Sequence, residues 1–246
     1  MKKLLCLFLL IPTLALAQSV TRTPAFIGAA TTVVAAAPAG YTSPTNLASV
    51  TGYWVANDSI QNEVNVITNV PDRAAGLGAY TNSSGDPKPA FGPNLNGLKT
   101  LKFGTSSEVL YKPGSISQPF TFWCVWAQTN FGAGNLIGIS GNRISPMRDS
   151  SGIRTRMNAG SLVYFELSVT NKWITQAFVV NGIGSATYTN GISAVTGDVG
   201  TGAFSDINIV SPFGVIAEWA FFSTALSATD IANLHAFGTN KYEISP

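Results

Sequence analysis

Alternation of apolar and polar positions is sharpest between Pro119 and Gln128, which read Pro-Phe-Thr-Phe-Trp-Cys-Val-Trp-Ala-Gln. In an extended chain Phe120, Phe122, Cys124 and Trp126 fall on one side, and Thr121, Trp123, Val125 and Ala127 on the other. Both sides are apolar, which predicts a strand covered on both faces. A second run of this kind, Val215 to Phe222, is rich in aromatic and β-branched residues. Ser227 then stands three residues before Asp230, the spacing of a capping box. Ile231 and Leu234 follow at helical spacing, with Ala228 on the same side, and Gly238 reads as the stop.

Shorter runs predict further strands at 31–37, 135–139, 142–147, 153–157, 162–169 and 172–180. The third and fourth of these pair across the turn at Arg148 to Gly152. Asn181-Gly182 and Asn190-Gly191 each sit between apolar runs and predict hairpins. Thr81 to Pro93 is polar and rich in Gly, Pro and Asn, the composition of a surface loop. The whole predicts an all-β, antiparallel two-sheet sandwich, with one short C-terminal helix packed at its edge.

The first seventeen residues differ in kind. Lys2 and Lys3, the apolar run from Leu4 and the triplet Ala15-Leu16-Ala17 form the pattern of a secretory signal peptide. The run is shorter than the roughly 20 residues of a membrane span. The expected organisation is a signal peptide at 1–17, an apolar arm or linker at 18–48 and one domain at 49–246. The expected location is secreted, extracellular or periplasmic, or in a virion if the chain is phage-encoded. No transmembrane segment is expected after the signal is removed.

Removing that leader changes the charge. Lys and Arg total 14 against 12 Asp and Glu, so taking away Lys2 and Lys3 leaves 12 of each. A neutral chain argues against nucleic acid or an anionic membrane as partner, since both recruit an excess of positive charge. Cys6 leaves with the leader, and Cys124 is then left without an intrachain partner. It reads as a buried small hydrophobe.

Several stretches resemble the LamG-like, concanavalin A-like jelly rolls. Ile216-Ala-Glu-Trp-Ala-Phe-Phe followed by Ser223-Thr-Ala-Leu-Ser-Ala-Thr-Asp-Ile-Ala-Asn-Leu is similar to that family's last strand and helix, with Thr224 where Arg is frequent and Asp230 where Glu is. Val50 to Ser59 resembles its opening strand, and Asn96-Gly97-Leu98-Lys99-Thr100-Leu101-Lys102-Phe103 a later one. Pro71-Asp72-Arg73-Ala74-Ala75-Gly76 resembles its Asp-containing step, without the Trp and with Ala75 in place of Ser. Trp173, an Asn-Gly turn and Tyr188-Thr189-Asn190-Gly191 follow in the family's order, so the likeness spans roughly 49–237. It implies a jelly-roll fold, a glycan ligand and, in many members, calcium at the rim.

No hydrolase chemistry is legible. Retaining glycoside hydrolysis needs two carboxyl groups about 5 Å apart, and no predicted strand carries two acids at alternate positions. Glu166 and Glu218 each stand alone in apolar strands, and Glu218 reads as structural, bonded to backbone or to an Arg. His235 is the one histidine and has no metal-ligand spacing around it. Loop oxygens suited to calcium are Asn82, Asp86, Asp198 and Asp206, though Asx turns account for them equally well.

Sugar rings stack on aromatic faces. Trp123 is the candidate platform if Phe120, Phe122 and Trp126 face the core, and Tyr164 shares that surface; the alternative is that Trp123 is simply packed. Arg143, Arg148, Arg154 and Arg156 concentrate on one predicted hairpin. They suit anionic groups of a polysaccharide, a lipopolysaccharide or a partner protein, or else form a solvated hairpin. The chain is thus expected to be a non-catalytic, lectin-like or adhesin-like glycan-binding protein. The other class is a structural or attachment module of a larger assembly such as a phage virion or surface fibre, its arm docking on neighbouring subunits.

Overall fold

Two nine-residue strands, Phe120–Gln128 and Gly214–Phe222, lie side by side, and every residue in both is buried. The structure is a computed structural model that describes residues 42–245, apart from 62–65, 83–86, 106, 130–134, 139–140, 150–151, 167–171 and 211–213. The expected signal peptide, the candidate strand at 31–37 and most of the arm lie outside the described residues. The folded part begins ahead of Ser49, because Pro44 is buried in a short 3-10 turn and Leu47 packs on the core.

The strands in chain order are β1 (Val50–Val55), β2 (Ile60–Gln61), β3 (Ile67–Val70), β4 (Tyr80–Thr81), β5 (Ala90–Phe91), β6 (Leu101–Lys102), β7 (Val109–Leu110), β8 (Pro113–Ile116) and β9 (Phe120–Gln128). They continue as β10 (Arg143–Asp149), β11 (Gly152–Asn158), β12 (Leu162–Glu166), β13 (Ile174–Val180), β14 (Ser185–Thr189), β15 (Ile192–Gly197), β16 (Phe204–Asp206), β17 (Ile209–Val210) and β18 (Gly214–Phe222). Helix α1 spans Ala228–Tyr242. The main sheet runs β15-β14-β13-β9-β18-β6-β5, with β1 beside β6 on the same edge of β18. Every recorded pairing in it is antiparallel. The fold is an all-β, antiparallel sandwich with one short C-terminal helix.

Alternation along β9 assigns its two faces. Phe120, Phe122, Cys124 and Trp126 join Trp219, Phe221 and Ile216 of β18 in the larger core. Pieces of the smaller sheets close over it: Ile67 and Tyr80, Leu110, Ile144 and Met157, Phe204 and Ile209. Burying each aromatic or branched side chain contributes about 1.5–3 kcal/mol, so these strands dominate the stability of the described residues, among which Cys124 is a free thiol. Trp123, Val125, Ala177, Ala220 and Phe222 face the other way, onto Ile231, Leu234 and Phe237 of α1. The helix therefore lies on a face of the main sheet rather than at the sandwich's edge.

The capping box forms as the spacing predicts: the Asp230 amide donates to Ser227 Oγ at 3.1 Å, and the Ser227 amide to Asp230 Oδ2 at 3.3 Å. Gly238 does not stop the helix, which continues to Tyr242 and ends at Glu243 in a left-handed conformation, φ 52°. Gly238 instead lets the helix approach the sheet. A Cβ there would stand 2.8 Å from Thr175 Cγ2 and 3.1 Å from both Trp123 Cζ2 and Val125 Cγ2.

The two Asn-Gly signals part company. Asn190 and Gly191, φ 51° and 76°, form the two-residue turn between β14 and β15. Asn181-Gly182 instead leads into a 3-10 turn, Gly182–Gly184, so β13 and β14 are joined by a longer connection. The described part of the 135–139 stretch contributes isolated bridges, Ile137 to Ile144 among them, in place of a strand. No helix among the described residues is long and apolar enough to cross a membrane.

Candidate functional site

Strands β10, β11 and β12 form a three-stranded antiparallel sheet over the larger core. Its register places Arg143 opposite Asn158, Ser145 opposite Arg156, and Met147 opposite Arg154. Across the next pair Arg156 meets Tyr164, Arg154 meets Glu166, and Asn158 meets Leu162. Directly paired residues share a face. Arg143, Arg154, Arg156 and Tyr164 are therefore on one face, while Ile144 and Met157 alternate to the core and are fully buried. Arg148 pairs with Ile153 along the backbone, and its side chain lies outside the described part.

This face opens to solvent along β12, while Ser145 on β10 is buried beneath the arginines. Tyr164 is 41% exposed and Leu162 45%. The Arg154 guanidinium sits 5.9 Å from the centre of the Tyr164 ring, within cation–π range. Arg156 Nε donates to Ser145 Oγ at 2.6 Å, which fixes the guanidinium against the sheet. Partial burial, and then the like charge of Arg143, push the Arg156 guanidinium below its ordinary basicity. Two cations thus lie close enough to repel, an arrangement that an incoming anion relieves. Ser145 and Asn158 belong to the same face and were not singled out by composition. Their signal is strand parity, which counts only once the hairpin's register is fixed.

Trp123 does not serve this surface. It is 1% exposed and lies beneath α1, its ring 6.2 Å from that of Phe237. Period two placed it correctly on the face away from the larger core. What alternation cannot show is that the helix covers that face, so the stacking role expected of Trp123 is withdrawn.

The acidic and histidine candidates are accounted for individually. Glu218 is fully buried between α1 and the sheet. Its Oε2 accepts from Lys241 Nζ at 2.6 Å and from the Tyr242 hydroxyl at 2.6 Å, and Oε1 accepts from the Tyr53 hydroxyl. The role is structural, with a lysine and two tyrosines as partners in place of backbone or Arg. His235 is half-buried, and its Nδ1 lies 2.6 Å from Thr175 Oγ1. Burial pushes its imidazole below the usual value.

Of the calcium candidates, Asn82 Nδ2 donates to the Ile67 carbonyl, and Asp198 Oδ1 accepts from the Gly200 amide at 2.9 Å in an Asx turn. Asp206 pairs with Pro113 in the β16–β8 ladder, and Asp86 lies outside the described residues. Among the described residues no three His, Cys, Asp or Glu side chains gather as a metal site.

The architecture is similar to that of β-sandwich domains in several solved structures. Domain 4 of AbnA, a GH43 extracellular arabinanase from Geobacillus stearothermophilus, solved in complex with arabinotriose, superposes with a TM-score of 0.59 at 16% identity, over 76% of this chain and 98% of that one. Trypanosoma rangeli sialidase in complex with sialic acid gives 0.52 at 12% identity, over 77% of this chain and 33% of that one. The binding domain of Paraclostridial Mosquitocidal Protein 1 gives 0.52 at 12% identity, over 78% and 52%. At these identities what is shared is the fold, and the chain spans a third of the sialidase. No protein-family model matches the sequence, and no curated protein does.

Proposed function

We propose that the chain is an exported, non-catalytic carbohydrate-binding module of the jelly-roll lectin type, and that the outer face of β10–β12 holds an anionic glycan. The observation that carries this reading is the cross-strand gathering of Arg143, Arg154 and Arg156 around the exposed Tyr164. Tyr164 supplies a ring face for a sugar, and the guanidinium forks suit a carboxylate or sulfate, bidentately where geometry allows. Comparison with a sandwich domain crystallised with arabinotriose supports a saccharide over another ligand class. Sealing of Glu218 beneath the helix supports a binding role over hydrolysis.

The test is a screen of sialylated, uronic acid-containing and sulfated glycans beside neutral ones, followed by titration calorimetry. Arg154→Ala with Tyr164→Ala is expected to weaken anionic glycan binding roughly ten- to a hundredfold, since a hydrogen bond to a charged group is worth about 1.5–3 kcal/mol. The thermal midpoint should hardly move, and wild-type affinity should fall with added salt. Binding that ignores both substitutions and salt would remove this face from consideration. Silence across the screen would favour the attachment-module reading.

A further inference from the structure

We infer that a second groove, on the opposite side of the main sheet, binds a linear neutral oligosaccharide along the half-buried Trp173. The inference rests on the carbohydrate-binding reading and extends it to a separate site. Four of the five tryptophans, Trp54, Trp123, Trp126 and Trp219, are buried in the two cores. Trp173 stands at the mouth of β13 and keeps part of its surface open.

The sheet's register builds the floor beside it. Ala127 of β9 pairs with Val215 of β18, which pairs with Lys102 of β6. Trp173 precedes Ile174, whose partner is Trp126, so it comes next to Ala127 in this row. Small side chains at Ala127 and Val215 leave a cavity of about 330 Å³, with Trp173 as one wall and Lys102 and Thr129 at its rim.

A second cavity, about 290 Å³, shares Trp173 with the first and is bounded by Lys172 and Glu243. A third, about 420 Å³, shares Glu243, Ile244 and Ser245 with the second and reaches Asn240 and His235. The three form one chain of compartments joined by Trp173 and by the residues that follow α1. Each is near the lower end of ligand-site volumes. Together they suit successive units of one polymer better than a single compact ligand. Lysines, a carboxylate and an amide are spaced along the rim, which suits scattered hydroxyls rather than one concentrated charge. Trp173 offers an aromatic surface to both adjoining compartments.

Glu243 provides an independent probe. It occupies the left-handed position that ends α1, where glycine is the usual residue. Glu243→Gly should therefore keep or raise the thermal midpoint while removing a carboxylate from two compartments.

The experiment is titration of the purified protein with arabino-, xylo- and cello-oligosaccharides from disaccharide to hexasaccharide, read by calorimetry and tryptophan fluorescence. Affinity is expected to rise with length and then level off as the groove fills. Trp173→Ala and Glu243→Gly should each weaken binding roughly tenfold or more, and Trp173→Ala should abolish the fluorescence change. The Arg154→Ala, Tyr164→Ala protein should bind the neutral series like wild type. Neutral binding that ignores Trp173→Ala and Glu243→Gly overturns the groove. Binding of anionic glycans with no neutral binding overturns the groove and leaves the arginine face standing. Failure with both ligand classes overturns both.

Discussion

Replacing Glu218 with alanine is expected to lower folding stability by about 3–5 kcal/mol, the range for removing one partner of a buried ion pair. A bulge in β18 between Ile216 and Glu218 turns both Ala217 and Glu218 toward the helix. The carboxylate is fully buried there, and Lys241, which it neutralises, is 7% exposed. Without Glu218 the ammonium and two tyrosine hydroxyls lose their common acceptor in a site that water cannot easily enter. Burial, and then the Glu218 charge, push the Tyr53 and Tyr242 hydroxyls well above the ordinary phenol value. The folded state therefore holds those protons more tightly than the unfolded chain. This contribution is complete below about pH 10 and is lost as pH rises beyond it. Urea unfolding of Glu218→Ala provides the measure. A double variant, Glu218→Leu with Lys241→Met, should recover most of the loss, because no charge is left unpaired. A loss under about 1 kcal/mol for the single variant would mean that the pair is solvated.

The second large effect is expected at Asp72. Its Oδ1 accepts the amides of Tyr53 and Ala74, both at 2.9 Å, and its Oδ2 those of Leu77 and Gly78 at 2.9 and 2.8 Å. One carboxylate thereby closes the 71–78 turn and ties it to β1. Trp54 Nε1 donates to the Gly78 carbonyl at 3.1 Å, so the same turn anchors a core tryptophan. Each hydrogen bond to a charged group contributes about 1.5–3 kcal/mol, and the four are not additive. Asp72→Ala should lower stability by about 3 kcal/mol or more in denaturant titration. Asp72→Asn should recover only part, since its amide group points donors at donors. The nearby Arg73–Asp58 pair, 2.5 Å apart but partly exposed, is the contrast: Asp58→Ala should cost less than about 1 kcal/mol. Equal losses at Asp58 and Asp72 would contradict this account.

Much of this molecule is readable from local pattern. The two faces of β9, the capping box at Ser227 and Asp230, the Asn190-Gly191 turn and the β10–β11 hairpin each depend on a few neighbouring residues, and each forms. Other features depend on what arrives from far along the chain. Trp123 looks outward until α1, more than a hundred positions later, lies over it. Gly238 looks like a helix stop because its sequence does not show the sheet it must approach. The partners of Glu218 come from β1 and from the last turn of the helix, where lysine and tyrosine carry no local signal of pairing. The arginine group was visible as composition, yet only register brings Arg143, Arg154 and Arg156 to one face. Trp173 was legible as part of a motif, but its groove exists only where four strands align.

Cys124 sits in the middle of β9, fully buried, and burial pushes its thiol well above the usual value. Both neighbouring strands, β13 and β18, must separate before a reagent can reach the sulfur. Its modification by a thiol reagent therefore times the opening of the central sheet itself. In a variant that begins at Gln18 and so lacks Cys6, this one side chain reports the rate and free energy of global unfolding, with no label to introduce.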